Sequence, residues 1–321
     1  MVDDRDGRPK YLIISGGIGG TKLVQGFYNI VDPSQICVLS NTGDDILRFG
    51  LRICPDIDIL IYTLAGLIDK EKKWGLDSDS YQCIEFYAEH YRKSADWFHL
   101  GDKDIATHLY RTQMLSEGMK LSEVTEKIAK SLGIKCRILP MSEDYIPTMI
   151  KTEKGLMHFE EYFVKNKTEP RILGIEYGGG KDATLPDHVE TYFEDVEKII
   201  IAPSNPILSI RPILAIPRYR ALFHKHREKV YAVTPIISGT AVKGPTVKNL
   251  REFGIEPTPI GVCRVYNDFI SSFILDTAER KKKEKIFCDV LSEMNVTCYW
   301  YDTIMSSLAK KKALAYFLIN M

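Results

Sequence analysis

Short apolar runs alternate with longer amphipathic segments along the chain. The runs lie at residues 11–14, 36–39, 135–139, 198–202 and 230–234. Runs of this length that end in turn-forming residues are typical of buried strands, and the segments between them are long enough for helices. Strands that alternate with helices predict an α/β fold with a doubly wound, mainly parallel sheet.

Two stretches interrupt this alternation. Residues of about 63–132 predict a helical insertion at one edge of the sheet, since apolar side chains recur there at helical spacing before a capping glycine, as at Leu121, Val124, Ile128, Leu132 and Gly133. Residues 145–185 combine glycine, proline and short alternating runs, which indicates a β excursion. The lysine runs at 281–283 and 310–312 fall in helical contexts and predict solvated helix faces.

Composition and charge exclude several classes of protein. The chain has 321 residues, of which 45% are hydrophobic and 27% charged, as in ordinary globular proteins. Lys plus Arg and Asp plus Glu both number 43, so no overall basic charge predicts a nucleic-acid partner. The charged tail at 1–9 lacks the apolar core of a signal peptide, and no apolar run is long enough to span a membrane. We therefore predict a cytoplasmic protein without a membrane partner.

The cysteines do not form a recognisable framework. The chain has seven, widely scattered, with no CxxC pair. This pattern argues against structural disulfides and against a cysteine zinc site.

A glycine-rich loop follows the first predicted strand. The sequence Ser-Gly-Gly-Ile-Gly-Gly at 15–20 precedes a helical pattern, so backbone N–H groups and the helix N-terminus can approach an anion closely. The loop departs from the dinucleotide fingerprint, because Lys22 stands where the last glycine is expected, and it lacks the contiguous Gly-Lys-Ser/Thr of a P-loop. A phosphate group is the predicted ligand, and a turn with only a packing role is the alternative.

Carboxylates cluster after the second predicted strand. The segment 41–58 contains Asp44, Asp45, Asp56 and Asp58. One or two carboxylates, completed by substrate phosphates and water, are the usual protein ligands of Mg²⁺. Asp45, Asp56 and Asp58 are therefore candidate metal ligands. Helix capping by Asp56 or Asp58 is the alternative.

Further polar loops follow other predicted strands or begin helices. His99 and His108 lie around one turn-then-helix pattern, either as ligand contacts or as locally hydrogen-bonded side chains. Asp104 is a candidate N-cap of that helix. Ser204 and Asn205 lie between two prolines, and the loop at 235–245 contains Lys243. Because the carboxyl ends of parallel strands share one edge of a sheet, these loops are expected to converge on one crevice.

Eight motifs in this order resemble those of the 2-phospho-L-lactate transferase family of coenzyme F420 biosynthesis. The similarity runs from about residue 10 to 307. The motifs are SGGIGGTKL at 15–23, NTGDD at 41–45, GLRICPDID at 50–58, WG at 74–75, LGDKD at 100–104, LPMS at 139–142, PSNP at 203–206 and KGP at 243–245.

The resemblance implies a single Rossmann-like transferase domain at 10–321 that depends on Mg²⁺. The implied donor is lactyl-2-diphospho-5'-guanosine or its phosphoenolpyruvyl counterpart. The implied acceptor is the deazaflavin Fo, 7,8-didemethyl-8-hydroxy-5-deazariboflavin. The terminal hydroxyl of Fo would attack the phosphorus on the lactyl side of the diphosphate, which forms a phosphodiester and releases GMP.

The resemblance also implies roles for individual residues. Asp45 and Asp58 would serve as metal ligands or general base, with Asp56 as a further ligand, and Asp58 and His99 would lie near Fo. The donor would be held by Gly16, Gly17, Gly19, Gly20, Thr21, Ser204, Asn205 and Lys243. A related group with the same SGGxGG start implies the alternative of a regulator that binds nucleotide sugars or dinucleotides without transferase activity. A homodimer is a further expectation for a chain of this size.

Overall fold

A computed structural model of the protein describes residues 8–91, 97–178, 180–237, 240–241 and 245–321. The strands in chain order are β1 (Tyr11–Ser15), β2 (Ile36–Ser40), β3 (Ile46–Arg48), β4 (Leu51–Ile53), β5 (Arg137–Pro140), β6 (Thr148–Thr152), β7 (Gly155–His158), β8 (Ile172–Tyr177), β9 (Lys198–Ile201), β10 (Val230–Val233), β11 (Ile236–Ile237), β12 (Thr240–Ala241), β13 (Ser272–Asp276) and β14 (Thr297–Tyr301). The helices are α1 (Gly17–Tyr28), α2 (Pro55–Leu64), α3 (Gln82–His90), α4 (Asp102–Ser116), α5 (Leu121–Ser131), α6 (Val189–Asp195), α7 (Arg211–Leu214), α8 (Pro217–Lys225), α9 (Thr246–Glu252), α10 (Pro259–Tyr266), α11 (Arg280–Glu293) and α12 (Leu308–Ile319).

The central sheet has the order β14-β13-β10-β9-β1-β2-β5, seven strands within the described ranges. Every neighbouring pair in it is parallel. The chain builds the sheet outward from β1 through β2 to β5, then returns to the other side of β1 with β9. The predicted doubly wound α/β fold is confirmed, and its switch point lies between the carboxyl ends of β1 and β9, where such sheets bind ligands.

Five of these strands match the runs predicted from the sequence to within two residues. The strands β13 and β14 were not predicted, and the short hairpin of β3 and β4 was missed as well. Strand β14 has the sequence Thr-Cys-Tyr-Trp-Tyr, whose side chains are largely half-buried because it forms an edge of the sheet. Edge strands of this kind lack the continuous apolar run that marks a central strand.

Side-chain alternation along the strands gives the sheet two apolar faces. In β1, Leu12 and Ile14 face the layer that contains α6, α8, α10 and α11, whereas Ile13 faces α1, α2, α5 and α12. All three side chains are fully buried. Because successive residues of a strand point to opposite faces, both faces must be covered by helices, and the central strands therefore read as continuous apolar runs.

The helices of the predicted insertion lie between β2 and β5. Helix α2 begins before the predicted boundary, at Pro55, and α5 ends at Ser131 with Gly133 behind it at a φ of +76°. That positive φ explains the glycine, since other residues rarely adopt it. The β excursion is confirmed by β7, β6 and β8, which pair antiparallel in that order. No described helix is both long and apolar enough to cross a membrane.

We expect Gly26→Ala to destabilise the protein by about 1–3 kcal/mol. A Cβ at Gly26 in α1 would overlap the carbonyl oxygen of Lys311 in α12, so the two helices would have to separate. Helix propensity alone would stabilise the alanine variant by about 1 kcal/mol, so the sign of the change tests the contact. Urea unfolding measures it. Gly174→Ala is the control, because its Cβ would find its nearest neighbour 4.0 Å away; equal stability of both variants would contradict the prediction.

Candidate active site

A cavity of about 530 Å³ opens at the switch point of the sheet. This volume is in the range of small-molecule sites. Its lining comes from the loops after β1, β2, β9 and β10, from α2 and α4, and from the segment after β7. The described lining residues are Gly16, Gly17, Ile18, Gly19, Lys22, Asp44, Ile53, Pro55, Asp56, Asp58, Ile59, Tyr62, Trp74, Gly75, Trp97, Phe98, His99, Leu100, Asp104, His108, Phe159, Glu160, Phe163, Val164, Pro203, Ser204, Asn205, Leu208, Ser209, Thr234, Pro235, Pro245, Thr246, Thr303 and Met305.

The glycine loop turns directly from β1 into α1. Gly17 has a φ of +63°, which its lack of a Cβ permits. A Cβ at Gly19 would overlap the carbonyl oxygen of Pro203, and one at Gly20 would overlap the hydroxyls of Ser15 and Ser204. The glycines thus let the first turn of α1 lie against the loop after β9. This packing brings the N-terminus of α1 to the cavity, where the N–H groups of its first turn favour an anion.

The structure separates the residues of this loop into two groups. Gly16, Gly17 and Gly19 line the cavity, whereas Gly20 and Thr21 are not among its lining residues. The Thr21 hydroxyl instead donates a 3.0 Å hydrogen bond to the Gly17 carbonyl oxygen. The roles of Gly20 and Thr21 in holding phosphate are thus not supported by their position, because both are turned toward the protein interior.

Lys22 lines the cavity and was missed by the sequence analysis. Burial, together with the nearby Lys73 charge, lowers the pKa of its ammonium group. Lys22 lies just beyond the first turn of α1. It supplies a positive charge near the glycine loop, which lacks the lysine of a P-loop. Sequence patterns could not identify Lys22 as a site residue, because neither standard phosphate-binding fingerprint has a lysine at this position.

Two neighbouring carboxylates on the cavity wall share one hydrogen-bond donor. The Asn41 amide nitrogen donates to Asp44 Oδ1 at 3.1 Å and to Asp56 Oδ2 at 2.9 Å. The second oxygen of Asp56 accepts a 2.7 Å hydrogen bond from the Gly17 backbone N–H. Asp56 therefore connects the acidic cluster to the N-terminus of α1. The alternative prediction for Asp56 was helix capping, and the helix whose N-terminus it contacts is α1 rather than its own helix, α2.

A third carboxyl group, that of Glu160, reaches the same wall from the segment after β7. Burial and then the negative charges of Asp56 and Asp45 raise its pKa to about 8. Burial also raises the pKa of Asp56 to about 6, and burial with the charges of Asp56 and Glu160 raises that of Asp44 well above its usual range. Perturbed carboxyl groups that face one cavity indicate a functional site.

The structure places Asp45 elsewhere. Its side chain is fully buried, is absent from the cavity lining, and forms an ion pair with Arg52 at 2.7 Å. The Cys54 thiol also donates to it, at 3.0 Å. The geometry therefore does not favour the prediction that Asp45 is a metal ligand or general base, because an arginine already neutralises this carboxylate away from the cavity.

Asp58 does line the cavity, but its carboxylate is also held by an arginine. Both of its oxygens accept hydrogen bonds from Arg111, which is itself fully buried. The bidentate guanidinium neutralises the charge of this carboxylate and uses about two of its four lone pairs, so Asp58 is a poor metal ligand but can still accept a hydrogen bond. We therefore assign Asp58 no metal role, and its predicted contact with the acceptor stays a prediction.

The carboxylates on the wall fit a magnesium ion that is shared with a substrate. Asp44, Asp56 and Glu160 form no ion pair with a lysine or arginine of the described residues. Burial is the main cause of their raised pKa values, and a divalent cation would favour the ionised carboxylates. Within the same ranges, no group of three or more His, Cys, Asp or Glu side chains is arranged to enclose a metal ion. An enclosing group of side chains is not required, because Mg²⁺ is usually bound by only one or two carboxylates together with phosphate and water.

The loop after β9 uses most of its polar groups within the protein. Ser204 Oγ accepts from the Gly16 N–H at 3.2 Å and donates to the Gly16 carbonyl at 2.8 Å. Asn205 Oδ1 accepts from the N–H groups of Ile207 and Leu208, and its amide nitrogen donates to Asn249. Both residues line the cavity, where they position the loop. Lys243 lies outside the described residues.

Part of the cavity lining is aromatic. Trp97, Phe98, Phe159 and Phe163 contribute to it, together with His99, which is exposed and stands edge-on to the Tyr81 ring. The contact of His99 with an acceptor stays a prediction. Sequence reasoning missed Glu160 and this aromatic set, because no spacing rule joins residues 97–98 to residues 159–163.

We expect Glu160→Gln to stabilise the Mg²⁺-free protein increasingly as the pH rises. The folded pKa of Glu160 is about 8 against an ordinary value of 4.5, so the unfolded chain loses the proton first. Stability from this group is thus present at low pH and is lost between about pH 4.5 and pH 8. The glutamine side chain of the variant does not ionise, so the variant does not lose this stability as the pH rises.

Urea unfolding in EDTA at several pH values measures the difference, which should be about 1 kcal/mol at pH 5 and about 4 kcal/mol at pH 8. Glu293→Gln, at an exposed position of α11, is the control. A difference that does not change with pH would contradict the raised pKa.

Comparison with known proteins gives the family. A family model described as 2-phospho-L-lactate transferase CofD matches residues 12–304. A 2-phospho-L-lactate transferase of Methanosarcina mazei is 35% identical over 312 residues, which cover 96% of this chain and 99% of that protein. A phosphoenolpyruvate transferase of Streptomyces griseus is 35% identical over 282 residues, 86% of this chain and 88% of the other.

Solved structures agree in fold. A crystal structure of a UPF0052 family member from Bacillus halodurans covers 97% of this chain and 99% of its own, with a TM-score of 0.63 at 14% sequence identity. The sequence matches extend across the sheet, the glycine loop and the acidic wall. The chain belongs to the 2-phospho-L-lactate transferase (CofD) family.

Proposed function

We propose that the protein transfers a 2-phospholactyl or phosphoenolpyruvyl group from the guanosine diphosphate derivative to the terminal hydroxyl of Fo, with release of GMP, in coenzyme F420 biosynthesis. The observation that carries this proposal is one cavity that joins a helix N-terminus, a wall of carboxylates that no described lysine or arginine pairs with, and an aromatic set of lining residues. A diphosphate donor needs the first two, and a planar deazaflavin acceptor needs the third.

The residues of the chain divide the work as follows. The N–H groups at the start of α1 and the Lys22 ammonium bind the diphosphate. Asp44 and Asp56, with Glu160 beside them, hold Mg²⁺. When bound, Mg²⁺ would supply charge neutralisation on the transferred phosphoryl group. Asp58 faces the cavity and accepts a hydrogen bond from the attacking hydroxyl, which orients it toward the phosphorus.

The test is incubation of the purified protein with Fo, Mg²⁺ and each guanosine diphosphate donor separately. GMP release and the deazaflavin product are followed by mass spectrometry. We expect both to require Fo and to stop with EDTA, and the better donor identifies the transferred group. No product from either donor, together with no binding of Fo, would favour the nucleotide-binding regulator instead.

A further inference from the structure

One ring nitrogen of a buried histidine on the cavity wall has no hydrogen-bond partner among the described residues. The side chain of His108, on α4, is 1% exposed and lines the cavity. Its Nε2 atom makes no hydrogen bond with any described residue. The nearest carboxylate oxygen, Asp104 Oδ1, is 3.5 Å away, which is too long for a good hydrogen bond. Buried polar atoms are nearly always satisfied, so this atom calls for a ligand.

The contacts of the other ring nitrogen, Nδ1, indicate which nitrogen of His108 carries the proton. Arg111 Nη1 lies 3.3 Å from His108 Nδ1, closer than Asp58 Oδ2 at 3.7 Å. A guanidinium can only donate hydrogen bonds, so this contact favours the neutral tautomer in which Nδ1 accepts and Nε2 carries the proton. His108 therefore presents an N–H donor to the cavity.

An acceptor stands beside this donor. The Tyr62 hydroxyl donates a 2.6 Å hydrogen bond to Asp104 Oδ1, and Asp104 also lines the cavity. A carboxylate can accept about four hydrogen bonds, so Asp104 retains acceptor capacity. An N–H donor next to a carboxylate is complementary to a hydroxyl group, which both accepts and donates. The same carboxylate, which no lysine or arginine of the described chain pairs with, disfavours an anionic ligand.

We propose that His108 Nε2–H and Asp104 together bind a hydroxyl group on the uncharged side chain of the acceptor, and so select a hydroxylated chain over an alkyl chain. The attacking hydroxyl lies at Asp58, and this second hydroxyl anchors the chain behind it. The inference rests on the proposed function, because it requires the acceptor to occupy this wall. Arg111 acts as a positioning residue that keeps the imidazole in the donor tautomer.

The test compares two ligands. The fluorescence of the deazaflavin ring measures the Kd of Fo and of a 5-deazaflavin that carries an ethyl group in place of the hydroxylated chain. We expect the protein to bind Fo at least about 10-fold more tightly than the ethyl analogue. In His108→Leu this preference should fall by about fivefold, because the contacts of the other hydroxyls of the chain remain. His108→Gln, whose amide N–H reaches a similar point, should restore most of it, and the KM of the donor should stay unchanged in both.

Two further variants keep the test decisive. Asp104→Asn places an N–H₂ group where the substrate hydroxyl would donate, and it should also reduce the preference for Fo. His90→Leu, at an exposed histidine of α3, is the matched control and should retain it. An unchanged preference in His108→Leu or in Asp104→Asn would overturn this inference alone. Failure of the unaltered protein to bind Fo would overturn the proposed function and this inference with it.

Discussion

Asp56→Asn is expected to lower kcat/KM by about 100-fold or more, which corresponds to about 2.7 kcal/mol of transition-state stabilisation. The amide keeps the size of the side chain, and its oxygen can still accept from the Gly17 N–H. It loses the negative charge that makes Asp56 a ligand for Mg²⁺. The Mg²⁺ concentration that gives half-maximal activity should therefore rise as well.

The measurement is GMP release as a function of Mg²⁺ concentration. Asp56→Asn should lower stability by about 1–3 kcal/mol, because its amide N–H₂ group would face the Asn41 amide donor. Removal of a buried charge, which destabilises the fold when ionised, offsets part of this loss. Asp289→Asn, at an exposed site on α11, is the control. If Asp56→Asn retained half of the activity at the same Mg²⁺ requirement, the acidic wall would not be the metal site.

Arg111→Met is expected to destabilise the fold by about 3–5 kcal/mol. Arg111 is fully buried and binds both oxygens of Asp58, so its removal leaves a buried carboxylate without a counter-ion. It also donates to the Arg52 carbonyl oxygen, which links α4 to β4. Methionine fills much of the same volume, so lost packing contributes little to the expected change.

The double variant Asp58→Asn/Arg111→Met separates charge from packing. Once the carboxylate is replaced by a neutral amide, removal of the arginine should cost clearly less than in Arg111→Met alone. Urea unfolding gives both values, and Arg251→Met, at an exposed position of α9, should change stability by less than about 0.5 kcal/mol. Equal losses in the single and the double variant would show that the ion pair is not what stabilises this region.

Much of the fold followed from the sequence because its signals are local. An apolar run that ends in turn-forming residues defines a buried strand wherever it lies, and this was enough for β1, β2, β5, β9 and β10. The glycine loop was equally local, since the tight turn from a strand into a helix requires a positive φ at Gly17, which glycine permits. The edge strand β14 escaped because its half-buried side chains carry no continuous apolar pattern.

The site was only half determined in this way. The sequence located the acidic segment 41–58 but favoured Asp45 over its neighbour Asp44. Consecutive residues of a loop point in different directions, and here Asp44 faces the cavity while Asp45 turns to Arg52. The direction of each side chain depends on the partner that packs against it.

By itself, then, the sequence determined the alternation of strands and helices, the glycine loop at a strand end and the family. Tertiary structure alone decided which carboxylates meet, because Glu160 approaches Asp56 from more than a hundred positions away, and their raised pKa values exist only when burial removes water from both. It also decided that His108 faces the cavity with its Nδ1 atom beside Arg111, which is itself paired with Asp58. Charge, tautomer and access arise from long-range contacts, which no local pattern encodes.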